Sequence, residues 1–158
     1  MVTIWLFGCL VSYALGCINA AYYWIYWVHD EDLRNSGSGN AGARNAGRLY
    51  GAGSFLIVLF LDALLGAIAV MIGLALSGTD SLLPGLCGLM AVIGHSFPAQ
   101  LGFRGGKGIA KAIGVLIVLF IAEATSSLLQ VIPGMLLLLL FTHRSNILRH
   151  LGMAGKSS

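Results

Sequence analysis

Three short polar segments contain nearly every side chain of this chain that could take part in chemistry. The first, residues 34–48, places four glycines among two serines, three asparagines and three arginines. Glycines let successive backbone N–H groups point at one spot, as in phosphate-binding loops, and arginine adds bidentate contacts to phosphate oxygens. Because glycine and small polar residues are also typical of ordinary loops, this segment alone leaves both interpretations open.

The second segment, residues 94–108, ends in Arg-Gly-Gly-Lys-Gly immediately before an apolar run. Cations, free backbone donors and the positive end of a helix dipole would meet there, which favours an anion site. It is not a P-loop, because the glycine spacing is one residue short and Gly108 replaces the hydroxyl residue. His95 is a candidate catalyst, although a lone histidine more often makes a structural hydrogen bond.

The third segment carries His143, Asn146 and His150 at helical spacing, so that these side chains would share one face of a helix. A basic flank following a membrane span would explain the two arginines of this segment. It would not explain the histidines and the asparagine. The segment is therefore a further candidate for part of a polar site.

The elements that position these segments are apolar. All nine Lys and Arg residues lie in the three segments or just beyond them, and long uncharged stretches separate them. Hydrophobic residues make up 58% and charged residues 9% of the chain, where an ordinary globular domain carries about a quarter charged residues. This pattern predicts a membrane protein with its basic loops in the cytoplasm. It excludes a nucleic-acid binder, since spans bracket the cations.

We therefore predict one all-α integral membrane domain over residues 1–158, with the first span retained and not cleaved as a signal peptide. The stretch 112–141 is ambiguous, but two short spans there keep all three basic segments on one side. The N-terminus is then outside and the C-terminus inside, with Asp80 and Glu123 on the outer face. The predicted spans are 3–28, 52–76, 82–99, 109–123 and 127–142.

Asp62 lies inside the second predicted span. A carboxylate at that depth costs about 2.5–3.5 kcal/mol on insertion scales, so it should face the helix bundle. It has either a functional partner there or a structural hydrogen bond to a neighbouring helix.

The three segments together carry ordered motifs. They read Gly-Ser-Gly-Asn-x-Gly-x-x-Asn-x-x-Arg from Gly37, Gly-His-x-Phe-Pro-x-x-x-Gly-Phe-Arg-Gly-Gly-Lys-Gly from Gly94, and His-Arg-x-Asn-Ile-x-Arg from His143. In this order, between apolar stretches, they closely resemble the bacterial acyl-phosphate:glycerol-3-phosphate acyltransferases of the PlsY type. The resemblance extends from Gly16 to about Gly152.

The resemblance implies transfer of a fatty acyl group from acyl phosphate to the sn-1 hydroxyl of glycerol 3-phosphate. The products are lysophosphatidic acid, a precursor of phospholipids, and phosphate. The expected partners are these two substrates and membrane lipid, with no cofactor, no metal and no nucleic acid. The expected location is the bacterial inner membrane, with the active site facing the cytoplasm.

The resemblance also implies roles for individual residues. The backbone and side chains of the first glycine-rich loop would surround the acyl phosphate, namely Ser36, Gly37, Ser38, Gly39 and Asn40. The glycerol phosphate would be held by Arg48 and Lys107 with His143 and Asn146. Further phosphate contacts would come from Arg104, Gly105 and Gly106. The catalytic set would be His95, Asn40, Asn45 and Lys107.

No activated nucleophile is required, because acyl phosphate already has a good leaving group and positioning with charge neutralisation could carry much of the rate. The proton of the attacking hydroxyl would go to His95 or to a phosphate oxygen of the donor. The sequence does not choose between them.

Several positions depart from the family pattern. The family normally has seven spans, and one pair with its loop is expected to be missing between Lys111 and His143. Arg44 and Lys111 stand where relatives usually have threonine. Leu65 replaces the lysine of an Asp-x-x-Lys-Gly pattern, so Asp62 is expected to lack its usual neighbour.

These departures keep two alternatives open. One is an acyltransferase with the same donor and a different small acceptor. The other is a non-catalytic membrane relative that binds phosphate or lipid.

Overall fold

A computed structural model describes residues 2–78, 80–122 and 125–150, without the side chains of 125–130, 145–146 and 148–150. These ranges contain helices and no strand, which confirms the predicted all-α class for the part described. Two single-turn helices, Leu33–Asn35 and Ala99–Leu101, interrupt the connections. The longer helices are α1 (Val2–Cys17), α2 (Ala20–His29), α3 (Ala43–Ser77), α4 (Leu83–Ser96), α5 (Ile109–Ile121) and α6 (Thr125–His150).

The exterior of the helices is apolar, unlike that of a soluble protein. Large apolar side chains point outward along the helices, as Phe60 and Phe120 do with 65% and 78% of their surface exposed. Asp62, His95 and Lys111, in contrast, are buried. An apolar exterior around buried polar groups is what a lipid environment selects. By length and composition, Val2–His29 across its break and Ala43–Ser77 could each cross a membrane.

The first predicted span is broken in the middle. α1 ends at Cys17, and Asn19 starts α2 by accepting a hydrogen bond from the Tyr22 backbone N–H at 2.9 Å. The Asn19 amide also donates to the Ala41 carbonyl at 3.1 Å. Asparagine competes in this way with the backbone bonds of a helix interior. The break therefore ties the first helix pair to the loop that follows.

α3 bends at Gly51, where φ is 84° and ψ is 176°. Such a positive φ strains residues with a Cβ, which explains the glycine. The bend divides α3 into a short polar helix, 43–50, and the long apolar helix predicted at 52–76. The short helix carries Arg44 and Arg48 at the end of the bundle.

Small residues let the helices approach closely. A Cβ at Gly66 would collide with the Lys111 carbonyl, and one at Gly114 with the Ala63 carbonyl, so α3 and α5 are in backbone contact. α1 and α4 meet in the same way, because a Cβ at Gly16 would collide with the Ala91 backbone. Close approach through glycine is typical of helices that pack in lipid.

The ambiguous stretch 112–141 contains two helices, as predicted, because α5 ends at Ile121 and α6 begins at Thr125. Glu123, predicted at the turn, lies outside the described residues. α4 covers only Leu83–Ser96, which is shorter than the predicted 82–99, since the chain leaves the helix before Pro98. The number of spans and their sidedness remain predictions.

Candidate active site

A cavity of about 970 Å³ lies at the end of the bundle where the polar segments meet. One part of its wall is polar and the other apolar. The polar part is formed by Ser38, Gly39, Asn40, Arg44, Asn45, Arg48, Asp62, His95, Lys107 and His143. The apolar part is formed by Phe55, Leu59, Ile109 and Ile113. A molecule with an anionic end and an apolar end would match both parts.

The first glycine-rich loop owes its shape to Asn45, which is 2% exposed. The Asn45 amide donates to the carbonyls of Leu33 at 3.3 Å and Ser36 at 3.0 Å. Its side-chain oxygen accepts from the Ser38 N–H at 3.0 Å. Gly37 has a φ of 62° beside this amide. Asn45 thus places Ser38, Gly39 and Asn40 on the cavity wall.

The second glycine-rich loop is held by α4. The N–H of Gly105 donates to the Ser96 carbonyl at 3.3 Å, and that of Gly106 donates to the His95 carbonyl at 3.1 Å. These donors, predicted to face an anion, are therefore used within the protein. Arg104 is exposed and does not belong to the cavity wall.

The start of α5, where the sequence predicted an anion site, faces the cavity. Gly108, Ile109 and Ala110 line the wall next to Lys107. The first N–H groups of a helix have no partner within it, and they favour anions together with the helix dipole.

Asp62, His95 and Lys111 form a buried polar cluster behind the cavity. One Asp62 oxygen lies 3.3 Å from Nδ1 of His95 and 3.5 Å from Nζ of Lys111. The same oxygen accepts a hydrogen bond from the Ala20 N–H at 3.4 Å. The contact with His95 is an ion-pair distance without hydrogen-bond geometry.

This cluster adds to one expectation. Asp62 was expected to lack the lysine neighbour that Leu65 replaces, and Lys111 of α5 supplies an ammonium from another helix instead. Lys111 reaches it because α5 contacts α3 at Gly66. The Asp62 carboxylate therefore has both a partner on the cavity wall and structural contacts.

α6 closes the site on its remaining side. Thr142 donates a hydrogen bond to the Lys107 carbonyl at 3.3 Å, which joins α6 to the second loop. His143 lines the cavity, and its Nε2 is buried without a hydrogen-bond partner among the described residues. The helix continues through Asn146 and His150 as predicted, but their side chains lie outside the description.

The cavity wall therefore gathers most of the residues predicted from the sequence. Ser36 and Gly37 instead build the loop behind it, through the Ser36 carbonyl and the positive φ of Gly37. Asp62 was noted from the sequence as a costly carboxylate but was not assigned to the site. The sequence indicated Lys111 only as a departure from the family pattern and not as part of the site. In the described ranges, no group of three or more His, Cys, Asp or Glu side chains could hold a metal.

Arg34 forms an ion pair within its own segment and a hydrogen bond to the segment of the second glycine-rich loop. The Arg34 side chain donates to both oxygens of Asp32 and, through Nη1, to the Leu101 carbonyl at 2.8 Å. The hydrogen bond from Arg34 is the main reason that the pKa of the Asp32 carboxyl lies below its ordinary value. Arg104 adds a smaller electrostatic contribution in the same direction.

Comparison with known sequences points to one family. The sequence model described as glycerol-3-phosphate acyltransferase matches residues 6–153. A glycerol-3-phosphate acyltransferase of Thermoanaerobacter sp. (strain X514) is 45% identical over 107 residues, which are 68% of this chain and 53% of the relative. The chain thus spans little more than half the length of such relatives.

The fold is similar to that of crystallised PlsY, an integral membrane glycerol 3-phosphate acyltransferase. Its glycerol 3-phosphate form superimposes with a TM-score of 0.82 at 31% identity, over 98% of this chain and 96% of that one. Its lysophosphatidic acid form gives a TM-score of 0.81 at 29% identity, over 94% and 93% of the two chains.

Proposed function

This chain belongs to the glycerol-3-phosphate acyltransferase family, and we propose that it transfers a fatty acyl group from acyl phosphate to glycerol 3-phosphate. The observation that carries the proposal is the cavity, which sets cations and helix N–H groups against an apolar wall. Both substrates carry phosphate, and one also carries an alkyl chain. The cavity offers a complementary surface to each.

Membership in an integral membrane family makes this a membrane protein, in agreement with its apolar exterior. The bacterial inner membrane is the proposed location. The proposed arrangement has five spans, the N-terminus outside and the cavity open to the cytoplasm. Its support is the positive-inside rule, because Arg44, Arg48 and Lys107 of the first two segments lie at the cavity end of the bundle.

In the proposed arrangement, the first loop binds the acyl phosphate. Ser38, Gly39 and Asn40 line the wall nearest the start of α3. Arg48, Lys107 and His143 then bind the phosphate of the acceptor, and the α5 N-terminus adds backbone donors. Asn146, one helical turn after His143, completes this set in the proposal.

The reaction needs one bond formed and one broken. The acceptor hydroxyl oxygen attacks the carbonyl carbon of the acyl phosphate, the bond from that carbon to the phosphate oxygen breaks, and phosphate leaves. Cations around both phosphates stabilise the charge that develops on the leaving group. The hydroxyl proton passes to His95 or to a phosphate oxygen of the donor.

Asp62 supports a role for His95 at the reacting centre. It lies beside Nδ1, which leaves Nε2 as the ring atom able to interact with substrate. If His95 is the base, replacing it with glutamine removes activity at every pH. If the donor phosphate accepts the proton, His95→Gln retains measurable turnover.

One observation favours a different phosphorylated acceptor as a second candidate. Arg44 lines the cavity one helical turn before Arg48, so two guanidinium groups face the position proposed for the acceptor. An acceptor with more negative charge than glycerol 3-phosphate would suit both. A panel of small phosphorylated alcohols, assayed with the same donor, compares the candidates directly.

The decisive experiment is an assay of the purified protein in detergent with acyl phosphate and glycerol 3-phosphate. Lysophosphatidic acid should be detected by mass spectrometry, together with one equivalent of phosphate. Lys107→Ala should abolish the product, since Lys107 lines the cavity beside the α5 N-terminus. Arg144→Ala is the matched control, because Arg144 is exposed and packs on Phe141 outside the cavity wall.

A folded wild-type protein that gives no acylated product with any acceptor would refute the proposal. Binding of acyl phosphate or inorganic phosphate without turnover would instead identify a non-catalytic relative.

A further inference from the structure

Lys111 is the most deeply buried cation in the described part of the chain, with none of its surface exposed. It does not line the cavity. A charged ammonium within an apolar helix bundle is costly unless oxygen atoms surround it. The contacts of Lys111 must therefore explain how its charge is stabilised inside the bundle.

The ammonium of Lys111 is surrounded by oxygens from the end of α1, from the break that follows it and from α3. It donates to the carbonyls of Gly16 at 3.1 Å and Ile18 at 3.0 Å, where α1 ends. Those carbonyls have lost their helical partners because the chain breaks before Asn19. The third oxygen belongs to Asp62, at 3.5 Å.

Asp62 links this cation to the cavity. The oxygen that faces Lys111 also faces Nδ1 of His95, and both Asp62 and His95 are on the cavity wall. Gly106 packs against the ring near Nε2, because a Cβ there would collide with that atom of His95. The ring is thus held between Gly106 and an oxygen that Lys111 fixes.

We propose that Lys111 is a positioning residue, whose ammonium holds the Asp62 carboxylate, and through it the His95 ring, at the cavity wall. Without the ammonium, the Asp62 charge would be buried with only His95 and one N–H to balance it. The carboxylate would turn toward another donor, and the ring would lose its fixed neighbour. The activity readout of this inference rests on the proposed function.

Position 65 offers a way to test the charge separately from the side chain that carries it. Leu65 stands one helical turn after Asp62, on the same helix. Leu65 lines an apolar groove together with Ile18 and Ala20. The carbonyl of Ile18 accepts a hydrogen bond from Lys111, and the N–H of Ala20 donates one to Asp62. A lysine at position 65 would therefore approach the same carboxylate from another side.

The experiment compares Lys111→Met with Leu65→Lys/Lys111→Met in detergent. Lys111→Met should lower kcat by about 10- to 100-fold, as expected when a reacting group is displaced. The KM for glycerol 3-phosphate should change by less than about threefold, since Lys111 does not touch the cavity. The kcat of the double variant should be about tenfold or more above that of Lys111→Met, because the new lysine restores the position of the Asp62 carboxylate and the His95 ring.

Leu65→Met/Lys111→Met is the matched control, because it places a long side chain at position 65 without a charge. This control should recover none of the kcat that Lys111→Met loses. Recovery by this control, or an unchanged kcat in Lys111→Met, would overturn the proposal. A folded Leu65→Lys/Lys111→Met protein without recovery would also overturn it.

A second measurement needs no turnover and so separates this inference from the proposed function. Thermal unfolding of Lys111→Met, Asp62→Asn and the double variant forms a cycle. Each single variant should unfold at least about 5 °C lower than the wild type, because it leaves one buried charge alone. The double variant should lose less than the sum, whereas additive losses would show that the two groups do not interact and would overturn the proposal.

Discussion

The two glycine-rich loops have similar composition and do different work. Residues 36–42 are shaped by a side chain, that of Asn45, and present their residues to the cavity. Residues 102–108 are shaped by the backbone of α4, since the Gly105 and Gly106 N–H groups bond to it. The first loop therefore lines the cavity, whereas the second, which contributes only Lys107 and Gly108 to the wall, mainly fixes the end of the helix that carries His95. Composition predicts that a loop can bend, but not where its donors point.

The largest effect should follow from Gly106→Ala in the second loop. A Cβ there would collide with the His95 ring and lie 2.5 Å from the Ala41 carbonyl, so the loops and the ring would have to separate. We expect a loss of about 100-fold or more in kcat, the scale seen when a reacting group is displaced by about 1 Å.

Gly102→Ala is the control for that change, with both proteins assayed at equal folded concentration. Gly102 has a φ of 63° but nothing within 4 Å of the new Cβ. It should therefore cost only the backbone strain of about 1–2 kcal/mol in unfolding free energy. If the two variants were equally active, the second loop would not position His95.

Much of the contrast between helices and loops was predictable from the sequence. The long apolar runs indicated the helices, the polar stretch 123–127 indicated the separation of α5 and α6, and the three motifs indicated which segments meet. The helices and the segments between them were predictable because they depend on hydropathy and residue spacing, which are properties of the local sequence.

The cluster behind the cavity was not predictable in that way. Asp62, His95 and Lys111 come from three helices. Lys111 also bonds to carbonyls at the end of a fourth helix, α1, which are free because the chain breaks before Asn19. A lysine next to a basic loop is ordinarily a cytoplasmic flank. Here it points inward, at the place where α3 and α5 approach closely at Gly66.

The next effect tests the dependence of the first loop on one side chain. Asn45→Leu should lower the unfolding free energy by about 3 kcal/mol, because two carbonyls and one N–H lose their partner. Asn45→Asp keeps the acceptor for the Ser38 N–H and should fall between Asn45→Leu and wild type. Chemical denaturation in detergent measures both, and equal losses would show that the acceptor contributes nothing.

A pair of arginines, one from each loop region, gives a smaller effect. Arg48 lines the cavity, whereas Arg104 is exposed outside it. Losing a charge-assisted contact of about 1.5–3 kcal/mol should raise the KM for glycerol 3-phosphate by about 10- to 100-fold in Arg48→Ala. Arg104→Ala should change this KM by less than about threefold, as is usual for an exposed charge. Equal increases in KM for the two variants would indicate that the acceptor phosphate binds nearer to the second loop than the position of the cavity predicts.

The smallest effect concerns the ion pair between Asp32 and Arg34, whose guanidinium also bonds to the Leu101 carbonyl. Arg34 lowers the pKa of Asp32, so folded Asp32 binds a proton less readily than unfolded Asp32, whose pKa is about 3.9. The stabilisation is therefore complete above about pH 4 and is lost as the pH falls through the lower pKa of the folded state.

Asp32→Asn should cost at most about 1 kcal/mol in unfolding free energy near pH 7, since the pair is partly exposed. Thermal unfolding between pH 7 and pH 3 should show the wild type and this variant converging as the pH falls. A constant difference would mean that the charge of Asp32 does not contribute to stability through Arg34.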